Sequence, residues 1–246
     1  MPPVTHLLRR RRTWLIAIPV LVLLVAVVGP FVYINFVRED APPRLTVADA
    51  LTTTTADGST STSDPSTPSA AGEGLDGTWT VTSEGTQAGY RVKEVLFGQD
   101  AEAVGRTSEV TGTLEIAGTT ITATEVVVDM TTITSSESRR DGQFNGRIMA
   151  TDEFPTATFS LTEPVVLDAI PADGEEISFR ATGELTLRGV TQDVTVDLVA
   201  VRSGTSIVIN GTIPIDFDDY DIPDASGGPA SVGRNGEIEL LLVVTR

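Results

Sequence analysis

Two hydrophobic periods divide this chain. Across residues 77–246 apolar side chains recur at every second position. In 177–187 the odd positions hold Ile177, Phe179, Ala181, Gly183, Leu185 and Leu187, and the even ones Ser178, Arg180, Thr182, Glu184 and Thr186. A period of two with one apolar and one polar face is that of a half-buried strand. The same alternation runs through 194–200, 207–217 and 238–244. Ala117-Gly118, Arg188-Gly189, Ser203-Gly204 and Asn235-Gly236 punctuate these runs as hairpin turns or strand starts. The pattern predicts about eight to nine antiparallel strands of about ten residues, arranged as an up-and-down barrel or a sandwich.

One segment, 138–155, breaks the rhythm. Phe144, Ile148 and Met149 stand at helical spacing there, and β-branched residues are few. A short helical excursion laid over the barrel is expected. Gly142 and Gly146 weaken it, so docking must hold it in place.

The other period is none at all. Arg9 to Arg12 precede an almost unbroken apolar run over 14–36. As a helix its 23 residues reach roughly 35 Å, enough for a hydrocarbon core of ~30 Å. The run exceeds the ~7–15 residues of a signal-peptide core and is not followed by a small-residue cleavage pattern, so an uncleaved anchor is expected. The one-sided arginines place the N-terminus in the cytoplasm and the rest outside the cell membrane. Residues 1–12 then form a cytoplasmic tail, 13–37 a transmembrane helix, 38–76 a disordered Ser/Thr/Pro-rich linker, and 77–246 the β-domain.

Composition narrows the chemistry. The net charge is −17, and beyond the four N-terminal arginines 13 basic residues face 34 acidic ones. Such an exterior is repelled by nucleic acid. There is no cysteine, and the single histidine is His6. The β-domain therefore lacks thiolate nucleophiles and imidazole bases, and an enzyme, a resident metal or a cofactor is not expected. The acidic stretch Asp216, Asp218, Asp219, Asp221 and Asp224 lacks the spacing of a calcium loop and reads as solvated.

Alternation proposes an apolar lumen built from Trp79, Tyr90, Val92, Leu114, Val126, Val128 and Met130 in the first half. Phe159, Phe179, Leu185, Leu187 and Phe217 follow, with Phe144 and Ile148 contributed by the excursion. Small residues at Gly112, Ala123, Ala181 and Gly211 leave room among them. Arg140 and Arg147 are candidates for a polar head group at the mouth. Period two alone does not separate a ligand-filled lumen from a self-filled one.

Several stretches resemble a known family. Gly183-Glu-Leu-Thr-Leu-Arg-Gly-Val-Thr191 resembles the G-x-L-T-[IL]-x-G-V-T hairpin of the YceI-like, polyisoprenoid-binding proteins. Phe154-Pro-Thr-Ala-Thr-Phe159 is similar to their F-P-x-A-x-F strand start. Arg140-Asp141, following Thr131 to Thr134, and Asp216-Phe217 match further elements in order and spacing. The departures fall on polar positions. Gln143 stands where the family usually carries histidine, and Pro214 and Asp218 replace the arginine and glycine around Asp216-Phe217. The resemblance implies a lipocalin-like, antiparallel eight-stranded barrel that takes a long-chain isoprenoid lipid or quinone, by sequestration or transport and without covalent chemistry. A ligand-free β-domain acting as an envelope interaction module is the alternative.

Overall fold

The computed structural model describes residues 28–29, 41–55, 74–228 and 230–246. The expected span over 13–37 lies outside them, apart from Val28 and Gly29. Among the described residues no helix is long and apolar enough to cross a membrane.

Among the described residues twelve strands appear in chain order. They are β1 (Gly77–Leu96), β2 (Gln99–Thr107), β3 (Val110–Ala117), β4 (Thr120–Asp129), β5 (Thr134–Ser135) and β6 (Thr156–Leu161), then β7 (Val165–Val166), β8 (Glu176–Leu187), β9 (Val190–Ser203), β10 (Ser206–Asp216), β11 (Ala230–Val232) and β12 (Asn235–Thr245). Eight of them close a ring in the order β1-β3-β4-β6-β8-β9-β10-β12, with β12 pairing back onto β1, and every pairing is antiparallel. The eight-stranded antiparallel barrel that the family resemblance implies is the observed architecture, and the sandwich left open by the alternation is not. β2, β5, β7 and β11 are additions on its flanks.

Closure depends on β1. Its first residues pair with β3, and Ala88–Leu96 pair with β2 on the same edge, while β12 runs along the other edge. A register shift between Thr82 and Gln87 bends the strand. Gly85 supplies a φ of +75° there, and the buried Thr86 hydroxyl accepts the Val243 N–H that the bend leaves without a backbone partner. The excursion forms as expected, as helix Ser138–Gln143 followed by a π-helical turn Phe144–Ile148. Arg188 and Gly189, both at positive φ, make the two-residue β8–β9 turn. Asn235-Gly236 instead opens β12.

The linker expectation needs correction. Residues 41–55 are packed on the outer wall, with helix α1 at Val47–Thr55, and helix α2 is then Ser138–Gln143. Thr46 donates both its N–H and its hydroxyl to Asp49 Oδ2, which is the backward-reaching half of a capping box. Leu45 and Ala50 are buried against Val208, Leu241 and Val243, with Val47 and Leu51 beside them. These wall residues lie on the faces of β10 and β12 that alternation assigns to solvent. Residues 56–73 lie outside the described residues.

This strap also covers a buried ion network. Arg91 donates to Glu239 (2.6 Å), Glu102 (2.6 Å) and the Pro42 carbonyl (2.7 Å). Arg106 donates to Glu239 (2.7 Å) and the Pro43 carbonyl (2.6 Å), and Arg44 to Glu237. Arg91 and Glu239 are only 4% and 2% exposed. Burial alone would push the Glu239 carboxyl up, but the hydrogen bonds and charges of Arg91 and Arg106 hold it below its ordinary 4.5.

Two outcomes follow from the strap. Residues 74–246 without it should be less stable than 41–246 by about 3 kcal/mol or more in urea unfolding, because apolar wall is exposed and two guanidinium groups lose acceptors. Since the folded Glu239 carboxyl titrates lower than the free one, its stabilisation is complete above pH 4.5 and is lost as pH falls through the lower folded value. The urea midpoint of 41–246 should therefore fall below pH 4.5, and Glu239→Gln should show a shallower fall.

Candidate functional site

The inward faces of the barrel strands enclose a cavity of about 110 Å³. A single water centre needs only ~10–15 Å³, so this space is more than a packing defect. β4 contributes Val126 and Val128, β6 Phe159 and Leu161, β8 Phe179 and Leu185. β9 adds Leu198, and β12 adds Ile238, Leu240 and Leu242. The hydroxyl-bearing residues of the lining are Thr124 and Thr158, and no charged residue lines it. Apart from those two hydroxyls, such a chamber offers a ligand only apolar contact. It suits hydrocarbon.

Six of the lumen candidates line the cavity: Leu114, Val126, Val128, Phe159, Phe179 and Leu185. The other eight lie elsewhere. Trp79 belongs to a cluster at the end of the barrel where β1 begins. Its Nε1 donates to the Leu75 carbonyl (2.8 Å), and the Arg246 guanidinium lies over its ring, 5.3 Å from the centroid. Met130, Phe144, Leu187 and Phe217 are buried in the opposite cluster, with Tyr90, Val92 and Ile148 packed against it. Tyr90 and Phe144 stack, ring centroids 5.0 Å apart, and burial pushes the Tyr90 hydroxyl up to about 12. These residues lie outside the cavity lining, in apolar clusters that are continuous with its walls. Among the residues absent from the candidates, Leu198, Ile238, Leu240 and Leu242 were legible, since 194–200 and 238–244 alternate cleanly.

Of the four small residues expected to leave room, Ala181 lines the cavity, whereas Gly112, Ala123 and Gly211 do not. Ala123 is exposed, because a register shift at Glu115/Ile116 turns that part of β4 by one position and sends Ile121 inward. A Cβ on Gly211 would lie 2.5 Å from Leu198 Cδ2, so the leucine fills that notch. A Cβ on Gly112 would meet the Glu125 carbonyl at 2.4 Å, so this glycine permits close strand approach. Gly183, noted only for alternation, is covered by the Phe159 ring.

The polar candidates serve the cap. Arg140 donates to Glu94 (3.3 Å), and Asp141 accepts from the Ser135 N–H (2.9 Å) and hydroxyl (2.6 Å), which pins α2 to β1 and β5. Arg147 donates to the Asp224 and Ser226 carbonyls. The acidic stretch is thereby a second part of the cap, a 3-10 turn Asp218–Tyr220 with Phe217, Tyr220 and Ile222 buried in the end cluster. Arg188 and Gln192 take up the Asp221 and Asp219 carbonyls. Among the described residues no cluster of His, Asp or Glu is arranged to hold a metal ion.

Comparison with known proteins fits this geometry. A family model described as the YceI-like domain matches residues 79–244. No curated protein matches the chain in sequence. Among solved structures, a polyisoprenoid binding domain from Saccharophagus degradans implicated in plant cell wall breakdown is similar at 16% identity and a TM-score of 0.55, covering 68% of this chain and 97% of that one. Burkholderia cenocepacia BcnA is similar at 17% identity and a TM-score of 0.52, covering 67% and 99%. At such identities the likeness is one of fold.

Arg147 couples the two parts of the cap. Arg147→Ala should raise amide hydrogen exchange at 144–149 and 222–226 together, while β8 and β9 keep their protection.

Proposed function

The chain belongs to the YceI-like domain family, and from that premise we propose that its barrel binds an isoprenoid lipid or quinone by the hydrocarbon tail. The observation that carries this reading is the chamber itself: an interior space in a closed barrel, lined by apolar side chains and free of charge. Each CH₂ moved from water into such a wall is worth ~0.8 kcal/mol, so affinity needs no reactive group. The similar domain from Saccharophagus degradans is described as polyisoprenoid binding. Sequestration or transport, with no bond made or broken, agrees with a lumen that contains no acid, base or nucleophile. The head group is left to the cap or to solvent. In this proposal residues 13–37 anchor the protein in the cell membrane with the barrel outside the cytoplasm, a reading supported by the arginine block and the apolar run.

The alternative of a ligand-free interaction module is favoured by one feature, the notches at Gly183 and Gly211 already occupied by Phe159 and Leu198. Native mass spectrometry separates the two. Residues 41–246, purified from a bacterium without detergent, should carry a stoichiometric lipid that solvent extraction releases as an isoprenoid. Protein that is empty and takes up no added polyprenol would leave the interaction module.

A further inference from the structure

The strap joins the barrel at one particular end. The Pro42 and Pro43 carbonyls accept from Arg91 and Arg106, and Arg44 reaches Glu237 near the start of β12. Arg91 pairs with Glu237, and Asn235 with Asp216, the residue that leads into the 3-10 turn of the cap. The strap then runs along the wall away from the cap, and Ala50 comes to lie beside Gly85 and Val243.

β1 and β2 continue past the cap level as a hairpin. From Arg91 to Phe97 the chain advances six residues, or about 20 Å of strand. The turn is Phe97-Gly98, at φ of +51° and +79°. Such turns favour Asn or Asp before glycine, because other side chains are strained at positive φ. Here the position holds a phenylalanine that is 46% exposed, and Val95 is 40% exposed. Lys93, the sole lysine, is exposed two residues earlier and can carry its ammonium to lipid phosphate on an apolar stem. Asp100, paired opposite Val95, is the acid nearest the turn in sequence. The far end of the barrel also exposes apolar side chains, Val166 and Ile170. The stretch 162–176 around them holds five acids and no base, and the strap does not begin there.

Covalent reach makes the choice between the ends. In the anchored reading the span stops at 37, and only residues 38–40 precede the strap. The four Cα steps from 37 to Ala41 cover at most ~14 Å. The cap end is therefore kept beside the bilayer, and not at the end of a long tether. We infer that this end of the barrel docks on the lipid bilayer, with the Phe97-Gly98 tip inserted at its surface. The inference rests on the membrane-anchor reading above and deepens it. An exposed apolar tip is unfavourable in water and gains by burial among the acyl chains.

The chain has no cysteine, so one introduced cysteine carries a nitroxide label without interference. The test uses the full chain in phosphatidylcholine nanodiscs, labelled at Gln99→Cys beside the tip or at Val166→Cys at the far end, both exposed positions. Molecular oxygen concentrates in hydrocarbon, and a water-soluble nickel chelate is excluded from it. The label at 99 should collide mainly with oxygen and lose most of its collisions with the chelate, whereas the label at 166 keeps them. Phe97→Asp should return chelate access to the label at 99, and Phe97→Ser should return part of it. Equal chelate access at 99 and 166, or shielding at 166 instead, would overturn the docking while leaving the anchor in place. A label at 99 that stays shielded in both Phe97 variants would overturn the insertion of the tip. A chain that does not enter the nanodiscs would overturn the anchor reading itself, and the docking with it.

Discussion

Closure of the sheet between the first and last strands governs this structure. An open sheet would leave two rows of unpaired backbone groups, and a ring removes both. The ring closes only because β1 is long and bent. It passes from β3 to β2 along one edge while β12 follows the other, and the Thr86 hydroxyl repairs the hydrogen bond that the bend breaks. The interior cavity exists because that closure holds eight inward faces at a fixed distance from one another. The apolar side chains on those faces then decide how much of the interior stays open.

The alternation was a reliable guide to which face a residue occupies and a poor guide to its height in the barrel. Leu185 and Leu187 have the same parity, yet one lines the cavity and the other belongs to the cap. Two local irregularities also escape a strict period. The register shift at Glu115/Ile116 exchanges Ala123 for Ile121, and the one in β1 moves the inward parity from Trp79 to Ala88. Gly85 marks the shift in β1, whereas the one in β4 has no such residue signature. The turn at Arg188-Gly189 and the excursion carrying Phe144, by contrast, were legible because glycine and helical spacing each carry a backbone reason.

The strap was hidden for a different reason. Leu45, Val47, Ala50 and Leu51 sit at the edge of a Ser/Thr-rich stretch whose composition argues against order. The Thr46–Asp49 capping pair was the available signal. On the wall beneath, Arg91, Glu239 and Glu102 read as ordinary solvent-facing charges. Only the three-dimensional arrangement shows carboxylates paired with arginines under a covering segment. Such pairs contribute little net stability compared with an apolar wall, but they are expensive to leave half-paired. They therefore hold the strap to one register on the barrel more than they strengthen the barrel itself.

That arrangement sets an order in time. The strap is synthesised before any strand, and its partners Glu237, Glu239 and Leu241 lie on the last one, with Arg44 and Glu237 separated by 193 positions. The ring itself joins Thr80 to Thr245. Contacts so distant in sequence cost loop entropy before they return any stability, which slows folding. Neither the closing seam nor the full set of strap contacts can form until β12 has been released, so assembly of this domain waits for its last strand.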